Sequence, residues 1–288
     1  MNAESGSLLV LLGMPFLQRA LLAALLSGSL GGLLGSFAVL RQLSFFSDAL
    51  GHSALLGLTL GVVLGLDPTL VLIPFALGFA LLVSTLLQRS RLPADALLNI
   101  IYSSSLALAV VVLSRFPGSG ANLQALLFGD ILGVSAADLW MLAGLLLAVV
   151  AVLRLTLRAQ ILVSLDDPLA RSRGVASEAQ RLLFVIVLAL VVALSIKVVG
   201  ALLISAFVVI PASAARLLSR SFRTYLLLAS ALGGVGAVLG VLASAAFNVP
   251  SGPAVVIVQL LAFVLALGVS AVAAAGPAAS AVSPDPAG

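Results

Sequence analysis

The sequence predicts an all-α, polytopic membrane helix bundle of about nine transmembrane helices with short interfacial and coupling helices. Three observations predict it. Of 288 residues, 62% are hydrophobic and 8% charged, with a mean hydropathy of +1.30, whereas about a quarter of residues in soluble domains carry charge. Apolar runs of roughly 20 residues, the length that crosses a hydrocarbon core, recur between short polar breaks. The arginines gather in alternate breaks, as spans of alternating direction require.

The spans are expected at 17–39, 45–66, 69–88, 95–114, 134–154, 178–196, 198–217, 224–246 and 254–274. Residues 7–16 are apolar but short and contain Pro15, which predicts an interfacial segment. The stretch before them holds Glu4 and no Lys or Arg, unlike the start of a signal peptide, so the segment is expected to be retained. Between the fourth and fifth spans, residues 123–130 form a short apolar piece ending in Gly129 and Asp130, and Ser135 with Asp138 begins the next span. Capping is the expected role of Asp130. Pro211 interrupts the seventh span and predicts a kink. Residues 1–275 are thus expected to be one transmembrane domain. The tail 276–288, rich in Ala, Pro and Ser, is expected to be disordered.

Basic residues near span ends are held on the cytoplasmic side. One set of connections carries Arg41, Arg89, Arg91, Arg154, Arg158, Arg171, Arg173, Arg181, Arg216, Arg220 and Arg223; the other carries Arg115 and Lys197. This places the N-terminus outside and, with nine spans, the C-terminus in the cytoplasm. Arg19 at the outer start of the first span is a minor exception, and Lys197 is expected to snorkel to the outer interface.

Several chemistries are excluded. The chain has no cysteine, which removes disulfides, thiolate metal sites and cysteine nucleophiles. The net charge of +4 is too scattered to track nucleic acid. A P-loop needs Gly-Lys followed by Ser or Thr, and the single lysine, Lys197, precedes Val198. No Gly-x-Ser-x-Gly occurs, and His52 and Ser53 are adjacent, about 100° apart on a helix.

What remains is Asp48 and His52, the latter the sole histidine. At i and i+4 they occupy one face of the second span, one turn apart, where oxygen and nitrogen reach a single cation. Ionisable groups in a span cost on the order of 2.5–3.5 kcal/mol and usually face a bundle interior. The competing reading makes Asp48 a helix cap, with Ser44 and Ser47, and His52 a core histidine. Spacing alone leaves both open. Gly51, Gly57, Gly61 and Gly65 on the same helix allow close approach by other helices, which suits the centre of a path. By register, Asp48 lies about one turn, roughly 5 Å, from the arginine-rich end of its span.

In the segment "VSLDDPLARSRGVASEAQR", Asp166 or Asp167 suits a cap, Pro168 a first helical position and Gly174 the residue past the end. A helix of about six residues, 168–173, follows. It is too short to stand alone in water.

"GSFAVLRQLSFFSDALGHSALLGLTLG" resembles the first-to-second helix segment of the membrane permease subunits of ATP-binding-cassette importers for zinc, manganese and iron, in which an Asp-x-x-x-His pair is the hallmark. "DALLNIIYSSSLALAVVVLS" resembles that family's fourth helix, "LLFGDILGVSAADL" its outer segment, "KVVGALLISAFVVIPASAARLLSRS" its seventh helix and "NVPSGPAVVIV" the loop into its last. The fragments follow one order over about residues 17–272. The resemblance implies that the 1–275 domain expected from the spans is a permease, with metal contact by Asp48 and His52. It also implies a homodimer with the path at its interface, two cytoplasmic ATP-binding subunits and an extracytoplasmic metal-binding protein. No tightly bound cofactor is expected; a divalent metal ion is cargo, and ATP acts only through the partner subunit, so the chain itself is not an enzyme. Carboxylate and imidazole suit zinc, manganese and iron alike, and the lack of thiolates argues against Cu(I). Asn99 and Ser103, at i and i+4 on the fourth span, are candidate path-lining residues, with bonding between packed helices as the alternative. The resemblance places the coupling helix at the 166–175 segment. Asp166 or Asp167 would cap it, with Asp167 among its coupling residues; Gly174 would end it, Leu169, Ala170 and Val175 would contact the ATPase, and Arg171 and Arg173 would sit at the rim. The expected location is a bacterial-type plasma (inner) membrane. Two rivals are a proton-coupled secondary metal carrier using Asp48 as its protonatable group and a structural membrane subunit.

Overall fold

The computed structural model describes residues 13–115, 129 and 131–275. The expectations for most of the N-terminal interfacial segment, for the outer piece up to Phe128, for Asp130 and for the tail 276–288 lie outside the described residues.

The chain runs through α1 (Pro15–Leu40), α2 (Ser44–Val63), α3 (Pro68–Arg89), α4 (Ala94–Arg115), a 3₁₀ turn (Ile131–Gly133), α5 (Ala136–Leu165), α6 (Asp167–Ser172), α7 (Ser177–Val199), α8 (Ile204–Leu218), α9 (Phe222–Phe247) and α10 (Ser251–Ala275). Among the described residues, eight of these helices are long and apolar enough to cross a membrane. α8, the seventh predicted span, is the exception: its 15 residues rise about 22 Å, less than the about 30 Å of a hydrocarbon core. The reason is where it starts. α7 continues through Lys197 to Val199 and is stopped by Gly200, whose φ of 94° is open to glycine and strained for other residues. α8 therefore begins at Ile204, and Phe207 and Val208 lie against Gly31 and Gly35, in the middle and later part of α1. α8 begins inside the bundle. Pro211 is accommodated within α8.

α5 also departs from expectation, continuing past residue 154 to Leu165 over 30 residues. Arginine is a good helix former, so Arg154 and Arg158 do not end the helix. They extend it beyond the span. Its start is fixed by a reciprocal cap: Ser135 Oγ accepts from the Asp138 backbone N–H, and the Ser135 N–H donates to Asp138. Lys197 does not snorkel freely, because its Nζ donates to Asp138 Oδ1 and Oδ2 at 2.9 and 2.8 Å, tying α7 to the head of α5.

Helices α1, α2 and α7 are largely buried, whereas α4, α5 and α10 present apolar side chains such as Leu108, Leu147 and Leu265 outward. With lipid as apolar as leucine, helices associate through close packing of small residues. The α1–α9 pair shows this. Gly28 lies on Gly233, and Gly32 on the backbone carbonyl of Ala229, with no room for a Cβ at either contact. Tyr225 Oη donates to the Ser36 carbonyl at 3.2 Å, locking the register.

Gly32→Leu should separate α1 from α9 and cost at least the about 1–3 kcal/mol of ordinary overpacking. A lowered thermal transition of the purified protein in detergent is the expected result, and an unchanged transition would contradict this packing.

Candidate functional site

α2 forms because its run "SFFSDALGHSALLGLTLGVV" has helix-compatible apolar positions on all sides and small residues at the contacts. Gly51 faces the α7–α8 turn, where a Cβ would lie 2.5 Å from the Ala201 carbonyl oxygen, and Gly57 faces the Phe75 ring of α3. The crowding expected of the glycines is present at Gly51 and Gly57, but not at Gly65, which lies past the end of α2 at a φ of 66° with nothing around it. The Gly51 contact sets the site, since it brings the first turn of α8 against the turn of α2 that carries Asp48.

Asp48 Oδ1 accepts a hydrogen bond from Ser205 Oγ at 3.0 Å. Ser205 is the second residue of α8, so the partial positive charge of that helix start faces the carboxylate. His52 Nδ1 lies 2.9 Å from the Asp48 backbone carbonyl and 3.7 Å from Oδ2. A carbonyl oxygen only accepts, so Nδ1 carries the hydrogen, and in the neutral ring Nε2 keeps its lone pair for a ligand. The His52 ring packs 5.3 Å from the ring of Tyr102 on α4, and Tyr102 in turn packs on Phe45. Asp48 and His52 are both partly exposed, at 26% and 23% of their side-chain surface, so each can be reached from outside the chain.

A cavity of about 940 Å³ lies beside Asp48, between α2, α4 and α8; Ser44, Asp95, Asn99 and Ser205 add polar groups to its wall. It extends from the start of α8 toward Gln42 and Ile210, the direction of the arginine-rich end. Of the residues singled out from sequence, Asp48 and Asn99 meet on this wall. His52 stands one turn further along α2, over Tyr102. Ser103 donates to Asn99 Oδ1 at 3.2 Å on the exposed face of α4 and is not on the wall. Among the described residues no group of three His, Asp or Glu side chains is close enough to hold a metal ion. Asp48 and His52 offer two ligands.

Asp95 and Ser205 were missed. Asp95 precedes Asn99 by one helical turn, so the Asp95, Asn99, Ser103 stripe was visible as i, i+4 spacing. Ser205, 157 positions from Asp48, had no such signal. Along α2 the pair stands where the register estimate puts it, and α8 adds a second measure. The start of α2 is one turn away, but about 20 Å of α8 lies between Ser205 and Leu218 at about 1.5 Å per residue. The carboxylate is tied to the interior end of that helix.

At the arginine-rich end, α6 forms as the caps predict. Asp166 Oδ1 accepts from the Leu169 N–H at 3.0 Å. Gly174, at φ 76°, closes the helix: its N–H bonds the Arg171 carbonyl and that of Val175 the Ala170 carbonyl. Asp167 is inside the helix rather than its cap, and pairs with Arg171 Nε at 3.0 Å and Arg181 at 3.2 Å. Burial opposes its ionisation, but the Ser177 hydroxyl, Arg181 and Arg171 outweigh that and hold its carboxyl below the usual range. Leu169 is exposed and Val175 half-buried, with Arg171 and Arg173 outermost. Ala170 differs from expectation: it is fully buried within the chain and seats α6 on the bundle instead of facing a partner.

These features define a polytopic helical bundle of the transporter type, with a half-length helix ending at an acid–imidazole pair. The chain belongs to the ABC 3 transport family, which matches residues 13–270. It is 34% identical over 250 residues to the manganese import system permease protein ScaB of Streptococcus gordonii, covering 87% of this chain and 90% of that protein. It is 32% identical to the high-affinity zinc uptake system membrane protein ZnuB of Haemophilus influenzae, covering 86% and 95%. The structure of PsaBC from Streptococcus pneumoniae in complex with Fab superposes with a TM-score of 0.79 at 30% identity, covering 89% of this chain and 92% of that one.

The chain has no cysteine, so Asp48→Cys with Ser205→Cys should be joined by a short bis-thiol reagent, while Asp48→Cys with Leu218→Cys should not. Failure of the first pair, or equal linking of both, would contradict the placement of α8.

Proposed function

We propose that this chain is the permease subunit of an ATP-driven importer for a divalent transition metal of the manganese, zinc and iron class. The observation that carries the proposal is the Asp48–His52 pair, with one carboxylate oxygen bonded to Ser205 and the imidazole Nε2 left as a ligand. Family membership and the names of the manganese and zinc relatives support it. The metal is cargo. Two ligands hold an ion loosely, which suits release, and a second copy of the chain placing its own pair across a shared interface would complete the coordination. The partly exposed side chains of Asp48 and His52 and the outward apolar faces leave room for such a homodimer.

The transport cycle then follows from alternating access. The ion reaches Asp48 and His52 at the dimer interface from an extracytoplasmic metal-binding protein. ATP binding in two cytoplasmic subunits shifts the population between outward and inward states, and the cavity running from Asp48 past Asn99 and Asp95 receives the ion on the inward side. α6 transmits the ATPase movement through Leu169 and Val175, with Arg171 and Arg173 at the rim and the Asp167–Arg181 pair holding α6 to α7. The arginine distribution supports an N-terminus outside and a C-terminus in the cytoplasm, and the family supports a bacterial-type inner membrane.

Asp48→Ala and His52→Ala should each cut ATP-dependent metal accumulation by at least about tenfold in cells or vesicles carrying the whole complex, with complex assembly intact. Normal accumulation by both variants would remove the pair from the path. In the same preparation Leu169→Asp should lower transport-stimulated ATPase activity, and unchanged stimulation would remove α6 from coupling. Loss of uptake on collapse of the proton gradient with ATP intact would favour a secondary carrier instead.

A further inference from the structure

A second cavity, of about 390 Å³, opens at the arginine-rich end between the α1–α2 loop, α3, α5 and α7. Two guanidinium groups, Arg41 and Arg181, stand on its wall. Arg41 is half-buried and its bonds all go to neutral groups: Nε to Ser164 Oγ at 2.9 Å, and Nη2 to the Gln160 carbonyl at 3.1 Å and to Gln160 Oε1 at 2.5 Å. Its guanidinium carbon lies 4.4 Å over the Phe184 ring. Among the described residues no carboxylate pairs with it. Nη1 is buried and has no hydrogen-bond partner. Burial and the nearby Arg181 push the Arg41 pKa down to about 10, so it is still charged at neutral pH, and the charge is uncompensated. Arg181 gives one nitrogen to Asp167, 3.2 Å away, which leaves further donors.

Buried charge without a charged partner is costly, and two guanidinium groups on one wall match the oxygens of a phosphate group. The rest of the wall is amphipathic. Ser84 and Gln88 add polar groups, while Leu43, Leu87, Val163 and Val185 line the apolar part. A free inorganic ion has no use for that apolar surface. Basic pockets between spanning helices on the side that carries the arginines suit anionic lipid head groups.

We infer that the Arg41–Arg181 cavity binds a phosphate group carried by an acidic membrane phospholipid, seated between the α1–α2 loop and the start of α7. The loop is the one that leads into the helix of Asp48, and Gln42, held at a φ of 56°, lies on the walls of both cavities. The lipid would brace this loop beside the Asp48 cavity, with which it shares Gln42.

The test uses the assembled transporter in nanodiscs of phosphatidylglycerol or of phosphatidylcholine, read by native mass spectrometry of retained lipid and by thermal transition. Wild type should retain phosphatidylglycerol several-fold more than Arg41→Gln or Arg181→Gln, and be stabilised by it over phosphatidylcholine. Arg41→Gln also loosens α5, so Leu87→Trp, which fills the cavity and leaves both charges, should lower retention as well. Equal retention by wild type and all three variants would overturn the proposal. Stabilisation by millimolar inorganic phosphate alone, sensitive to Arg41→Gln and without preferential lipid retention, would overturn the lipid as the source of the phosphate.

Discussion

The site depends on a break in the backbone inside the bundle. A chain in lipid must satisfy its own N–H and C=O groups, so non-helical backbone at depth persists only where protein or a cavity covers it. Here Gly200 ends α7, and Gly51 of α2 admits the turn at van der Waals distance. Gly129 covers the same turn from the other side, where a Cβ would be 2.6 Å from the Val199 carbonyl carbon. Three glycines thus meet at one point. Without their missing side chains, α8 would not begin beside Asp48.

Once α8 begins there, the electrostatics follow. A helix start presents free N–H groups and partial positive charge, and Ser205 adds a hydroxyl donor to Asp48 Oδ1. That occupies one oxygen of the carboxylate and leaves the other toward His52, whose own Nδ1 is held by the Asp48 carbonyl. Both side chains of the proposed site are thus oriented by hydrogen bonds that leave Asp48 Oδ2 and His52 Nε2 without one of these bonds. The Lys197–Asp138 and Arg181–Asp167 pairs hold the two ends of α7 to its neighbours.

Much of the bundle was legible because hydropathy reports burial in lipid directly. Eight spans stand where the residues indicate, α5 running on to Leu165, and so does the six-residue α6 with its Asp166 cap and Gly174 stop. The half-length α8 was not legible, since "VVGALLISAF" is apolar on both sides of the break and carries no punctuation other than Gly200. Its position is decided by contacts with Gly51 and Gly129, distant in sequence. The same holds for the site. Asp48 and His52 are found by local helical spacing, and so was the Asn99 wall, but Ser205 arrives through tertiary packing. Ala170 turned inward because a single helical turn and a half is too short for periodicity to fix its face.

The central claim is that Asp48 and His52 together hold a transition-metal ion in transit. The most direct measurement is pulsed electron paramagnetic resonance of Mn²⁺ bound to the purified permease chain without its partner subunits. The account predicts an imidazole nitrogen coupling to the bound ion that disappears in His52→Gln while the protein stays folded. Bound Mn²⁺ with no nitrogen coupling in the wild type, or a coupling that survives the substitution, would contradict it, since His52 is the chain's sole imidazole.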